Sequence, residues 1–153
     1  MNSKMKITGA APVIAGTTFI YFIITVIISS MVKPSFIITE KHYDVLIILG
    51  IILIIPGTLM VIRCGRKLLK SFKKGLLMTD GLYKIFRNPM YAAYMLFIIP
   101  GICLLFNSWL VLTTILVNYI LFSIFIKSEH QYLQEKFGSE YELYLKNVFI
   151  KFL

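Results

Sequence analysis

Asn88–Ile126 reads NPMYAAYMLFIIPGICLLFNSWLVLTTILVNYILFSIFI, 39 residues without a single Asp, Glu, Lys or Arg. As one α-helix this stretch would be roughly 58 Å long, about twice the ~30 Å hydrocarbon core of a bilayer. It therefore has to turn back on itself. Asn107-Ser108, near the middle, supplies turn-forming residues, and Trp109 follows as an interfacial aromatic. A turn at Pro100-Gly101 would leave the first arm too short to span. The expectation is a hairpin of two transmembrane helices, 89–106 and 109–126. Asn118, a lone amide in the second arm, reads as helix–helix glue.

Outward from the hairpin, the rest of the chain has the same character. Of 153 residues, 58% are hydrophobic and only 15% charged, with a mean hydropathy of +0.82. A water-soluble domain of this size could not hide so much apolar surface. The class is an all-α integral membrane protein. Ile7–Val32 holds 26 residues without charge. It is too long for the apolar core of a signal peptide, and Ser29-Ser30-Met31 makes a poor cleavage site. A first helix is expected over 11–32. Its Thr17, Thr18, Thr25, Ser29 and Ser30 suit close helix approach or bonding back to the backbone. A second helix is expected over 45–62, with Tyr43 at the interface and a kink at Pro56-Gly57. Four spans in one domain, 1–153, is the natural organisation.

The net charge of +9 is distributed beside the apolar runs, which excludes nucleic acid and makes the lipid bilayer the partner. Eight of the cations fall between Arg63 and Arg87, against Asp80 alone, and this basic stretch reads as a loop. The positive-inside rule places it in the cytoplasm, together with both termini and with Lys4 and Lys6. It also suits anionic headgroups or an anionic ligand. The balanced Lys33–Asp44 loop falls outside. Cys64 and Cys103, like His42 and His130, lack metal-ligand spacing, so no metal is expected. In the tail Leu133, Phe137, Tyr141, Tyr144 and Val148 recur at near-helical spacing, a segment for the membrane surface or the top of the bundle, with Gly138 as a break. The short chain without extensions points to a prokaryotic cell membrane.

The hairpin brings its two flanks together. Arg87-Asn88 enters it and Glu129-His130 leaves it on the same side. A cation, an amide and a carboxylate then meet beside apolar walls. Such a place suits a zwitterionic ligand and an apolar co-substrate, without saying which.

Gly81–Tyr91, GLYKIFRNPMY, resembles the G-x-Y-x-x-x-R-H-P-x-Y signature of the isoprenylcysteine carboxyl methyltransferase and phospholipid methyltransferase superfamily. Glu129–Tyr144, EHQYLQEKFGSEYELY, resembles that family's E-E-x-x-L-x-x-x-F-G-x-x-Y-x-x-Y. The likeness covers 76–148, about half the chain. It implies an integral membrane enzyme that methylates a lipophilic acceptor (carboxylate, thiol, amine or phenol) with S-adenosylmethionine. It implies a cofactor pocket of Leu76, Leu77, Met78, Tyr83, Asn88, Pro89, Met90, Tyr91 and Glu129, with Arg87 and Lys127 as candidates for orienting substrate. The chemistry is consistent: a carboxylate for the cofactor's ammonium, and a cation or amide for its carboxylate. Asn88 stands where the family has His, Ala93 where it has Gly, and His130 where it has a second Glu. Phe125 occupies the place of an arginine that binds the substrate carboxylate in the carboxyl methyltransferases. A phospholipid N-methyltransferase and a degenerate, non-catalytic relative are the alternatives.

Overall fold

The computed structural model describes residues 11–151, so Lys4 and Lys6 lie outside the described residues. Four helices follow one another: α1 (Ala11–Met31), α2 (Tyr43–Lys73), α3 (Pro89–Leu105) and α4 (Trp109–Asn147). Among the described residues there are two isolated β-bridges and no strand. α1, α2 and α4 are long and apolar enough to cross a bilayer, and α3 is a shorter apolar helix. The four expected spans thus become three long helices and one shorter one. Within α3, Tyr94–Ile98 forms a π-turn in which the Ile99 N–H bonds the Tyr94 carbonyl. Pro100 comes next, and it has no N–H and crowds the carbonyl four residues back. A wider turn ahead of it relieves both problems.

The packing is inside out. Ile20, Ile52, Leu116 and Ile120 are each more than half exposed, whereas Thr18, Ser29, Ser108 and Asn118 are buried. Aliphatic side chains outside and hydroxyls inside suit hydrocarbon as the solvent. α1 packs on α4, and α2 packs on α3. Along the α1–α4 seam the Asn118 amide donates to Thr18 Oγ1 at 2.9 Å, and Ser29 Oγ donates to Ser108 Oγ at 2.8 Å. The α2–α3 seam is closed by glycines. A Cβ on Gly50 would sit 2.8 Å from the Gly101 carbonyl oxygen, and one on Gly101 would sit 2.7 Å from that of Gly50.

The hairpin turns at Asn107, whose φ is 47°, a conformation that Asn tolerates better than most residues. Its side chain accepts from the Thr39 N–H at 3.1 Å and donates to the Thr39 carbonyl at 2.7 Å. Trp109 Nε1 donates to the Ser35 carbonyl, 3.2 Å away. These bonds fasten the loop between α1 and α2 onto the turn.

Two boundaries differ from the sequence expectation. α2 does not stop at 62: it continues to Lys73, so the first part of the basic stretch is helix, not loop. Arg, Lys and Leu are good helix formers and the backbone simply continues. The helix also runs unbroken through Pro56. α4 likewise runs on past 126 and bends only at Gly138, where φ is 48° and ψ −121°. Beyond that bend Tyr141 and Tyr144 pack with Cys64, Tyr83 and Val148 over the end of α2. A backbone strap completes the lid: Phe149 N–H to the Lys84 carbonyl (3.1 Å), Ile150 N–H to Ile85 (2.7 Å) and Arg87 N–H to Ile150 (3.0 Å).

Candidate functional site

Gly81–Lys84 forms a short 3-10 turn that buries Tyr83. The Tyr144 hydroxyl donates to the Tyr83 carbonyl at 2.9 Å and lies within 3.4 Å of the Phe86 and Arg87 carbonyls. That places the segment before α3 against the tail. Asn88 then stands at the N-cap of α3 with Pro89 in the first turn. An Asn there ordinarily caps the helix with its side chain. Here it makes no capping bond and turns instead to His130, with Asn88 Nδ2 and His130 Nε2 3.1 Å apart. One turn further on, the Tyr91 hydroxyl donates to Glu129 Oε2 at 3.0 Å. Arg87 donates from Nε (3.1 Å) and Nη2 (2.8 Å) to the Tyr141 hydroxyl. The two flanks of the hairpin are therefore joined residue by residue.

Burial sets the electrostatics here. It raises the Tyr83 hydroxyl well above the usual phenol range, with Cys64, Tyr144 and Glu129 adding to the effect. His130 lies beyond the charge-free part of α4. Its pKa is pushed down to about 4, first by burial and then by the Arg87 charge. A neutral imidazole at neutral pH suits its pairing with an uncharged amide.

These groups open on a cavity of about 740 Å³, within the size range of small-molecule sites. All nine residues expected to hold the cofactor line it, and so does Arg87. Lys127 does not: it is exposed and away from the cavity. Two residues along a helix are about 200° apart around its axis, so with Glu129 facing in, Lys127 faces away. No motif marks the residues of the far wall. The cavity continues from the polar mouth into the apolar layer, past Ile14, Thr18 and Phe22 of α1 and on to Ile102, Cys103 and Thr114. Tyr141 and Tyr144 also line it, where the spacing alone had marked an apolar face, and so does Tyr132, which the spacing did not mark. The Y-x-x-Y at the end of the second motif was the available signal. Among the described residues no group of three His, Cys, Asp or Glu side chains is placed to hold a metal ion.

The donor set fits a zwitterionic, aromatic-containing cofactor. A carboxylate and a guanidinium open on one space, with tyrosine rings and the Leu76–Met78 segment beside them. The model of the phospholipid methyltransferase family matches residues 41–140. The protein-S-isoprenylcysteine O-methyltransferase of Schizosaccharomyces pombe is 38% identical over 79 residues, which is 52% of this chain and 34% of that protein. No solved structure matches the chain. The family match takes in the whole of α2 and of α3, and α4 past Gly138, and with them both flanks of the hairpin. On that match, the chain belongs to the phospholipid methyltransferase family.

Proposed function

We propose that the chain is an integral membrane methyltransferase that uses S-adenosylmethionine to methylate a lipophilic acceptor at the cytoplasmic face of a prokaryotic cell membrane. The observation that carries this is the single cavity shared by Arg87, Asn88, Tyr91 and Glu129 at one end and by apolar α1 and α3 side chains further in. One end suits a charged cofactor and the other the chain of a lipid.

The cofactor supplies an electrophilic methyl group on a sulfonium. The protein's part is alignment and exclusion of water, because an in-line displacement depends on geometry more than on acid–base groups. Glu129, held by Tyr91, offers a carboxylate for the cofactor's ammonium. Arg87, held by Tyr141, and Asn88, held by His130, offer donors for its carboxylate. Leu76, Leu77, Met78 and Tyr83 form an apolar and aromatic slot for the adenine. Lys127 has no place in this scheme.

The acceptor is an amine on a phospholipid headgroup or a group such as the carboxylate of a lipidated cysteine. The family description favours the first and the named relative the second. Phe125 in place of the substrate-binding arginine weighs against the carboxylate. The test supplies methyl-labelled S-adenosylmethionine to the protein in vesicles of phosphatidylethanolamine, or with farnesylated N-acetylcysteine. The expected result is label in one lipid product. No label in either, from folded protein that binds the cofactor, would contradict both acceptor assignments.

A further inference from the structure

The cavity is blind at its far end. Its lining stops at one level on three helices: at Phe22 on α1, at Cys103 on α3 and at Thr114 on α4. Beyond that level the helices close on one another. The Phe22 ring meets Phe106, just past α3, edge to face, with centroids 5.2 Å apart and planes at 84°. Between α1 and α4 the Tyr21 hydroxyl and Thr113 Oγ1 are 2.9 Å apart. Between α3 and α4, Cys103 Sγ donates to the Val111 carbonyl at 3.3 Å. Cys103, Val111 and Thr114 are buried, so this layer is packed and has little room to yield. Cys103 is tied to Val111 and Thr114 is sealed off. The half-buried Phe22 ring, by contrast, lines the cavity and also rests on Phe106.

We infer that Phe22 is a specificity-determining residue that sets an upper limit on the length of the acceptor's apolar chain. The inference rests on the proposed function in taking that chain to be what fills the groove. Mouth and floor are equally far apart on two helices. Asn88 to Cys103 on α3 and Glu129 to Thr114 on α4 are each a step of fifteen residues, about 22 Å of helix. An extended chain advances about 1.2 Å per bond, as an extended polypeptide does, so the groove takes roughly eighteen chain atoms counted from the mouth. The chemical class is an amphiphile whose charged end lies among Arg87, Asn88 and Glu129 and whose chain ends at Phe22. A longer chain has to fold back, lift its head from the mouth or force the floor, and each of these weakens binding.

The test uses the full chain in maltoside detergent, with the saturated fatty acids from tetradecanoic to tetracosanoic as probes for the groove. Each competes, at equal mole fraction in the micelle, with tritiated tetradecanoic acid for saturable binding. A probe in a micelle is already in an apolar medium, so added methylenes gain nothing by transfer and the affinity reports fit. In the wild type the affinity should hold to about eighteen carbons and fall about tenfold by docosanoic acid, as further methylenes press on a packed layer. Phe22→Ala leaves space beside Phe106 and should move the fall to chains longer by about two to four carbons. Ile102→Phe fills the same level from α3 and should move it to shorter chains. A merely structural role for Phe22 would weaken all chains alike. A wild-type profile without a fall would overturn the inference, because the chain then leaves the groove sideways into lipid. A fall that stays in place in Phe22→Ala would overturn it too. Should Phe22→Ala not fold, the wild-type fall and its shift in Ile102→Phe decide. Calorimetry with S-adenosylmethionine on the same samples separates the two claims. A length limit without cofactor binding removes the methyltransferase reading and keeps the role of Phe22. Cofactor binding without a length limit removes that role alone.

Discussion

Tyr141 holds Arg87 and His130 holds Asn88, so each donor proposed for the cofactor's carboxylate is set by a residue more than forty positions away. Tyr141→Phe removes two charge-assisted bonds from Arg87 and is expected to cost about 1–2 kcal/mol of stability. Thermal unfolding in detergent would show it; an unchanged midpoint would mean that Arg87 finds another partner. His130 gives a pH dependence. Its folded-state pKa of about 4 lies below the ordinary 6.5, so between these values the unfolded chain binds more protons. The stability this contributes is whole above about pH 6.5 and is lost as pH falls toward 4. The unfolding midpoint should therefore drop between pH 7 and pH 5, and drop less in His130→Gln. Equal drops in the two proteins would remove His130 as the cause. At this scale Arg87, Asn88, Glu129 and His130 were legible, because their motifs flank one hairpin. Tyr141 was not, because its spacing marks only an apolar helix face and says nothing about its hydroxyl.

The hairpin was legible as an element because no single helix of 39 apolar residues fits a bilayer, and Asn107-Ser108 is where the chain does turn. The length of α2 was not. Hydropathy stops counting at Arg63, whereas helical hydrogen bonding does not, and the basic residues continue the helix for nearly three turns. Gly50 and Gly101 show what holds α2 to α3. Gly50→Ala would press a methyl onto the Gly101 carbonyl and Leu105, and it should destabilise by about 1–3 kcal/mol. Gly138 is a different case. A Cβ there meets nothing within 4 Å, so any cost is conformational. Gly138→Ala should cost about 1–3 kcal/mol through backbone strain and loosen the segment that carries Tyr141 and Tyr144. If thermal unfolding finds Gly138→Ala as stable as wild type, the bend is not required.

Taken whole, the molecule is a bundle with an aliphatic exterior, a polar interior seam and a cavity that runs from a charged mouth into the apolar layer. That it belongs in a membrane was plain from composition. That α1 supplies one wall was not, because its contacts with α4 join residues about a hundred positions apart and no motif marks Ile14, Thr18 or Phe22. The proposed orientation rests on charge: Arg63, Arg66, Lys67 and Lys70 lie in the last turns of α2 and Lys74 follows it, while the Lys33–Asp44 loop before α2 is balanced. With Cys64 and Cys103 buried, a membrane-impermeant thiol reagent should label Glu40→Cys in intact cells and Lys74→Cys only after lysis. The opposite pattern would place the mouth outside the cell.

If the two flanks of the hairpin form one cofactor site, calorimetry of S-adenosylmethionine with the purified wild type and Glu129→Gln should show it. Saturable binding is expected for the wild type, weakened by about 1.5–3 kcal/mol, or roughly ten- to a hundredfold, in the variant. No binding by folded wild type would contradict this, and equal affinity in the two proteins would remove Glu129 from the site.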